Sequence, residues 1–319
     1  MTARKWSLGA AALGLLLLGG CDEIDVGDLN NPGLDELEES PTRVGVNTAA
    51  TGLLIGLRTG IAEPNGWIPL LGAMGREGFN LNTISDPRYV QEMFLGPLDP
   101  GSGAFGANFW TARYANIRNT VLVLNAAENV ADMTDEEKEA LRGYAKTIQA
   151  LELLRVIVTR DANGAVIDVD RPPTGEPGPI ATRAEVYDRI EQLLDEGYTH
   201  LQAGGAAFSF RLGTGFAGFD TPATFAQVNR ALRARVAVYL DDFGTALTAL
   251  GQSFVSTAQP LSLGVYHVYG TASGDLTNNI LTGTPQIRAN PLLIAGAQTR
   301  LNGQPDLRAT TKLTTGDAA

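Results

Sequence analysis

Ala231-Leu-Arg-Ala-Arg-Val-Ala-Val-Tyr239-Leu-Asp-Asp-Phe243-Gly-Thr-Ala246-Leu-Thr-Ala249 is the stretch on which the fold turns. Its small residues recur at steps of three and four, which puts them on one helical face. Asp241-Asp242-Phe243-Gly244 then breaks the pattern, and Ala246 and Ala249 begin a second face. An aromatic late in the first helix and Ala early in the second suit two antiparallel helices that cross closely. The pair reads as helix 224–240, turn, helix 245–255.

Working outward, four more helices follow from the same periodicity. One begins near Pro41-Thr42 and carries Val44, Val46, Ala49, Leu53, Leu54 and Leu57 to about Ile61. A second covers 107–130, with Trp110, Tyr114, Ile117, Val121 and Leu124 on one face as core. The third and fourth start with capping boxes, Thr134 with Glu137 and Thr182 with Glu185. Ala165 to Val169 suggests a short strand, and the Pro-rich run 172–179 forbids regular structure. A Gly- and Phe-rich loop spans 203–220. Beyond Pro260 the chain reads as loop with at most a few short strands. The predicted fold is therefore mainly α, built from irregular helix pairs with long inserted loops. The Ala231–Ala249 unit resembles a tetratricopeptide pair, although no strict 34-residue period runs through the chain.

The N-terminus carries an address. Arg4 and Lys5 precede an apolar run from Trp6 to Leu18, which closes in Leu18-Gly19-Gly20-Cys21. Basic, then apolar, then small residues make a signal peptide. The run falls short of the about 20 residues needed to span a bilayer. Leu-Gly-Gly-Cys resembles the bacterial lipobox, so 1–20 is expected to be removed and Cys21 lipidated. Several acyl chains at about 0.8 kcal/mol per buried CH₂ would make a durable anchor. Cys21 is the only cysteine, so its acylation leaves no thiol for disulfides or catalysis. Residues 21–40 are acidic, turn-rich and poor in aromatics, as a tether should be.

Composition narrows the function. With 319 residues, 44% of them hydrophobic, the chain can bury a sizeable core. A formal charge of −11 argues against nucleic-acid binding. No cofactor is implied, because Gly204-Gly205 and Gly213-x-Gly215 lack the strand and Lys of a phosphate loop. Only His200 and His267 are present, too few to support a His-based metal site or a Ser-His-Asp triad. His200, at a helix end, is read as favouring the helix dipole. Asp241-Asp242 reads as a solvated turn. The chain is accordingly read as a non-enzyme.

Four segments resemble the SusD/RagB family of nutrient-uptake lipoproteins: Asn30-Asn31-Pro32 after the tether, Trp110-x-x-x-Tyr114-x-x-Ile117, Gly143-x-Ala145-x-x-x-x-Ala150, and Glu185-Val186-Tyr187-x-x-Ile190-x-x-x-Leu194-Asp195. One departure is Val121, where the family usually has Asn a turn after the Ile. The resemblance covers roughly residues 22 to 310, with 41–319 as the SusD-like domain. The chain is shorter than is usual for the family, which implies a C-terminal part that is missing or much reduced. The resemblance implies an outer-membrane lipoprotein at the cell surface that captures a glycan or other nutrient. It implies a SusC-like TonB-dependent barrel transporter as partner. Asp22 and Glu23 fit surface export in bacteria that use this family, whereas elsewhere acidic residues there mean inner-membrane retention. The competing reading is a tetratricopeptide-type scaffold lipoprotein in envelope assembly.

Ligand contacts are expected in the irregular, Gly-rich segment 63–106, because binding residues concentrate on loops held by a rigid scaffold. Aromatic rings can cover apolar sugar faces while polar groups beside them take the hydroxyls. The candidates are Trp67, Arg76, Phe79, Asn80, Asp86 and Tyr89. The alternative is that these aromatics plug gaps between helices. Tyr266 and Tyr269 could add to a site, but nothing in the sequence places them.

Overall fold

Thr134 and Thr182 each accept from the backbone N–H three residues on, while Glu137 and Glu185 reach back to the Thr backbone. Both predicted capping boxes are therefore present, and each starts a long helix. In the computed structural model, residues 34–63, 66–80, 96–97, 107–172, 175–272, 274–280 and 287–313 are described. Among them the helices are α1 (Leu34–Glu39), α2 (Arg43–Gly56), α3 (Trp67–Met74), α4 (Ala107–Glu128), α5 (Asp135–Arg160), α6 (Arg183–Ala203), α7 (Pro222–Tyr239), α8 (Phe243–Gly251), α9 (Leu292–Ala295) and α10 (Leu307–Lys312). Strands are few and short. β1 (Gly78–Asn80) pairs antiparallel with β4 (Ile287–Ala289), and β2 (Ala165–Val166) with β3 (Ile180–Ala181).

Neighbours in sequence are neighbours in space: α4 packs on α5, α5 on α6, α6 on α7 and α7 on α8, with α2 laid against α4. The predicted mainly helical, paired architecture is the observed one. The tightest crossing joins α5 to α6. A Cβ on Gly143 would lie 2.7 Å from the Gly197 carbonyl oxygen and 2.5 Å from the Leu201 side chain. Only glycine lets these backbones approach so closely. In the last pair, Ala234 and Ala237 on α7 and Ala246 and Ala249 on α8 are buried, as the small-residue pattern requires. Asp242 caps α8 by accepting from the Thr245 N–H.

Some expected inward positions face out. Val44 is 71% exposed, and Tyr239 turns to solvent, where its hydroxyl accepts from Arg235 Nε. Both lie at the ends of their helices, where the apolar stripe has run past its neighbour. The tether also gains structure at its end, since Leu37 on α1 is buried against the core. The Gly- and Phe-rich loop is no idle connector. Phe210, Phe216 and Phe219 are buried, and Phe208, Phe210 and Phe225 ring Tyr144 with centroids 4.9–5.9 Å away. Each buried aromatic contributes about 1.5–3 kcal/mol, so the loop is pinned to the core. Asn47 and Thr51 on α2 hold it from the other side through Ser209 and Arg211.

Candidate functional site

The Leu57 and Thr59 carbonyls, just past α2, are met by cations. Arg155 Nη1 donates to Leu57 O at 2.8 Å, and Arg113 Nη2 donates to Thr59 O. Helix C-termini favour positive charge. These two guanidiniums are in turn held by Glu152. Arg113 Nη1 lies 2.8 Å from Glu152 Oε2, both side chains being wholly buried, and Asn116 Nδ2 donates to Oε1 at 2.8 Å. The cluster therefore locks the two residues that flank Arg58.

Arg58 points the other way. Its Nη1 lies 2.6 Å from Asp275 Oδ1 and also donates to Val268 O. Its guanidinium stands 5.7 Å from the Tyr269 ring centroid. It thus fastens a strap, made of residues 265–272 and 274–275, across the open end of α2. The strap is also tied at Gly215. Tyr266 N–H donates to Gly215 O at 2.9 Å, and a Cβ on Gly215 would fall 2.0 Å from Tyr266 O. Glycine is needed there because two backbones touch.

Between α2, the 3₁₀ turn Thr214–Phe216 and this strap lies a cleft of about 340 Å³. That is the lower end of the range usual for small-molecule sites, about 300–1,000 Å³. Leu54, Ile55, Phe216 and the half-exposed Tyr266 ring supply apolar surface. Thr51, Arg58, Thr214, His267 and Asp275 supply polar groups. The Leu276 N–H and Arg58 hold the Asp275 carboxyl below its usual range, so it is an anion at working pH. A second cavity of about 100 Å³ adjoins it, walled by Leu57, Ile148, Leu151, Val228 and Leu232. Phe216, Tyr266 and His267 border both spaces.

His267 belongs electrically to the cluster beneath. Its Nε2 is 3.0 Å from Arg155 Nη2. A guanidinium has no acceptor, so Nε2 accepts and the remaining proton is on Nδ1. Burial, then Arg155, Arg58 and Arg113, pull its pKa from 6.5 down to about 4. More than a third of the residue reaches solvent, yet the desolvated ring edge and three nearby cations act in one direction. His267 is neutral at neutral pH. His200, the other histidine, bonds Glu139 through Nδ1 at 2.5 Å.

The residues expected from sequence lie elsewhere or nearby. Trp67 opens α3, and its N–H bonds Gly60 O, two residues beyond Arg58. Its indole Nε1 is buried without a hydrogen-bond partner among the described residues. Arg76 is exposed, with φ 59°. Phe79 and Asn80 form backbone pairs with Arg288 and Ile287. Glu77, between Arg76 and Phe79, borders a separate shallow groove of about 700 Å³ shared with α10. Trp67 and Arg76 do not line the 340 Å³ cleft. Cys21, Asp86 and Tyr89 lie outside the described residues. Of the cleft residues, only Tyr266 was anticipated. Trp110 and Tyr114, read as core, are half-buried and pack at the core's edge, with the Tyr114 hydroxyl bonded to β2.

Among the described residues, no group of three or more His, Cys, Asp or Glu side chains could hold a metal. Among the same residues, no helix is long and apolar enough to cross a membrane.

No protein-family model matches the sequence, and no curated protein matches it at a significant level. Solved structures do match. A laminarin-binding SusD-like protein superposes with a TM-score of 0.53 at 16% identity, over 66% of this chain and 43% of its own. A SusD superfamily protein from Bacteroides vulgatus gives 0.49 at 14% identity, over 65% and 42%. A SusD-like protein from Bacteroides fragilis gives 0.48 at 17%, over 69% and 40%. The matched region spans about two-fifths of the length of these structures. The class is thus a mainly helical protein of stacked, tetratricopeptide-like pairs. Within that class, the fold is SusD-like.

Proposed function

We propose that this chain is a SusD/RagB-type binding lipoprotein with no catalytic activity of its own. It captures a nutrient, a glycan above all, in the cleft under the strap that carries Tyr266 and His267. The observation that carries the reading is the SusD-like fold shared with a protein that binds laminarin. The cleft supports it, because a ring face beside an Arg–Asp pair and threonine hydroxyls suits a ligand rich in donors and acceptors with apolar faces. In this reading Cys21 is lipidated and holds the protein on the outer face of the outer membrane. There it hands its ligand to a SusC-like TonB-dependent barrel. Trp67, Arg76, Phe79, Asn80, Asp86 and Tyr89 form an accessory contact region, with Trp67 stitched to the turn that follows Arg58.

The soluble Cys21→Ser protein, titrated calorimetrically with a panel of oligosaccharides, tests the capture step. At least one glycan should bind, and Arg58→Ala together with Tyr266→Ala should abolish its binding. Whole-cell protease shaving and affinity purification of the lipidated chain test the location and partner. Resistance to shaving, or purification without any barrel transporter, would remove the surface reading. A scaffold role in envelope assembly is favoured by one feature, the exposed Val238, Phe243 and Leu247 on the last helix pair. It predicts protein partners and no change in melting temperature with any sugar.

A further inference from the structure

The cleft and the cavity that adjoins it differ in chemistry. The outer space is walled by Arg58, Asp275, Thr51 and Thr214, and the inner by Leu151, Val228, Leu232 and other apolar side chains. Thr147, the hydroxyl on the inner wall, is already satisfied: it donates to Gly143 O at 2.7 Å and accepts from Asn229 at 2.8 Å. The inner space therefore offers almost nothing polar to a guest. His267 stands at the border, with Nε2 committed to Arg155. Its Nδ1–H has no acceptor among the described residues. Because burial and, after it, the guanidinium cluster keep the ring neutral, and Nε2 accepts from Arg155, that N–H is a donor fixed in tautomer.

A donor at the boundary of a polar cleft and an apolar cavity defines an amphipathic ligand with an acceptor oxygen at its waist. We propose that the site takes glycosides bearing an apolar aglycone. The sugar lies in the outer cleft, the bridging oxygen accepts from His267 Nδ1, and the aglycone enters the inner cavity. About 100 Å³ is room for a phenyl ring or a short alkyl chain. This inference rests on the reading of the cleft as a glycan site and adds to it the class of the substituent.

The test is calorimetric titration of the soluble Cys21→Ser protein with one sugar in three forms: free, methyl glycoside and phenyl glycoside. The sugar is the terminal unit of whichever glycan binds best, or a panel of monosaccharides if none does. The phenyl glycoside is expected to bind at least about tenfold more tightly than the methyl glycoside, since two buried methylene equivalents already give that much. Leu232→Phe, which fills the inner cavity, should erase the difference without weakening the methyl glycoside. Should that variant misfold, the comparison of the three ligands on the parent protein still decides. His267→Leu should weaken both glycosides, and His267→Asn, which keeps an amide N–H near the Nδ1 position, should restore part of the loss. Equal binding of methyl and phenyl glycosides would overturn the aglycone assignment while leaving the glycan reading intact. No binding of any sugar or glycoside would overturn both. Binding of phenol alone as tightly as the phenyl glycoside would also overturn the proposal.

Discussion

Glu152→Gln removes one negative charge from the centre of the molecule and changes almost no volume. The carboxylate is wholly buried, bonded to Arg113 and Asn116 at 2.8 Å and to Arg155 at 3.4 Å. Without it, two guanidiniums remain with no anion between them. Arg113 has no exposed surface through which to escape. Breaking a buried pair by removing one partner costs about 3–5 kcal/mol, because the surviving charge stays desolvated. At about 2 °C per kcal/mol for a domain of this size, the melting temperature should fall by about 6–10 °C. Urea denaturation should show a lower midpoint with an unchanged slope. The double variant Arg113→Met, Glu152→Met should recover part of the loss, since two buried charges go together, although Thr59 O loses its donor. Arg155, whose side chain is 13% exposed, can then turn toward water. Glu139→Gln is the control: its side chain is 27% exposed, and pairs of that kind contribute less than about 1 kcal/mol. A loss below about 1 kcal/mol for Glu152→Gln would refute the claim that this cluster locks the end of α2. So would a double variant less stable than the single one.

Three further perturbations probe the strap and the helix crossing. His267 should stay mostly neutral down to about pH 5 and titrate with a midpoint of about 4, visible as imidazole NMR shifts that hardly move between pH 7 and 5. A base whose folded pKa lies below its unfolded value of 6.5 binds fewer protons when folded, so this contribution is complete above about pH 6.5 and is lost as pH falls towards 4. A midpoint near 6.5 would show that the ring does not feel the guanidiniums. Gly143→Ala adds a methyl 2.5 Å from the Leu201 side chain. Overpacking at about 1–3 kcal/mol should outweigh the about 1 kcal/mol helix-propensity gain, and a stabilised variant in thermal melting would contradict the close crossing. Gly215→Ala must push the strap away, because its methyl would meet the Tyr266 carbonyl at 2.0 Å. Hydrogen exchange should then lose protection at the Tyr266 amide and keep it in α5 and α6, and retained protection at Tyr266 would disprove the contact.

The helices were readable because their cause is local. Caps lie three residues from their partners, and apolar faces repeat within a turn, so Thr134, Thr182 and the Ala231–Ala249 pair announce themselves. What sequence spacing alone could not show is where a helix face ends. Val44 and Tyr239 continue the periodic stripe but have no neighbour to cover them. The aromatic loop was equally opaque. Gly and Phe in alternation signal irregular backbone, yet whether the rings plug a core or face a ligand depends on Tyr144, more than sixty residues earlier in the chain.

The cleft is a different case, because each of its ties spans a great length of chain. Arg58 and Asp275 are 217 residues apart, and Arg155 and His267 are 112 apart. No periodicity connects such positions. One trace was present: Arg58 stands at the end of a helix whose apolar face is otherwise continuous, and a lone cation there can turn back to its own carbonyls or outward to a partner. It does both, with Nε on Leu54 O and Nη1 on the strap. The same economy explains why an acidic chain gathers cations here. Among the described residues, Arg58, Arg113 and Arg155 are ion-paired with Glu152 and Asp275, which leaves one positive charge in excess among these five in a molecule of net charge −11. Two of the guanidiniums are spent on helix-end carbonyls and on Glu152. The excess is felt at His267, which stays neutral and keeps one N–H to offer. A buried ion-pair cluster adds little net stability over a well-packed apolar one. Its consequence at this position is chemical: it adds to burial in setting the protonation state of a side chain on the cleft wall.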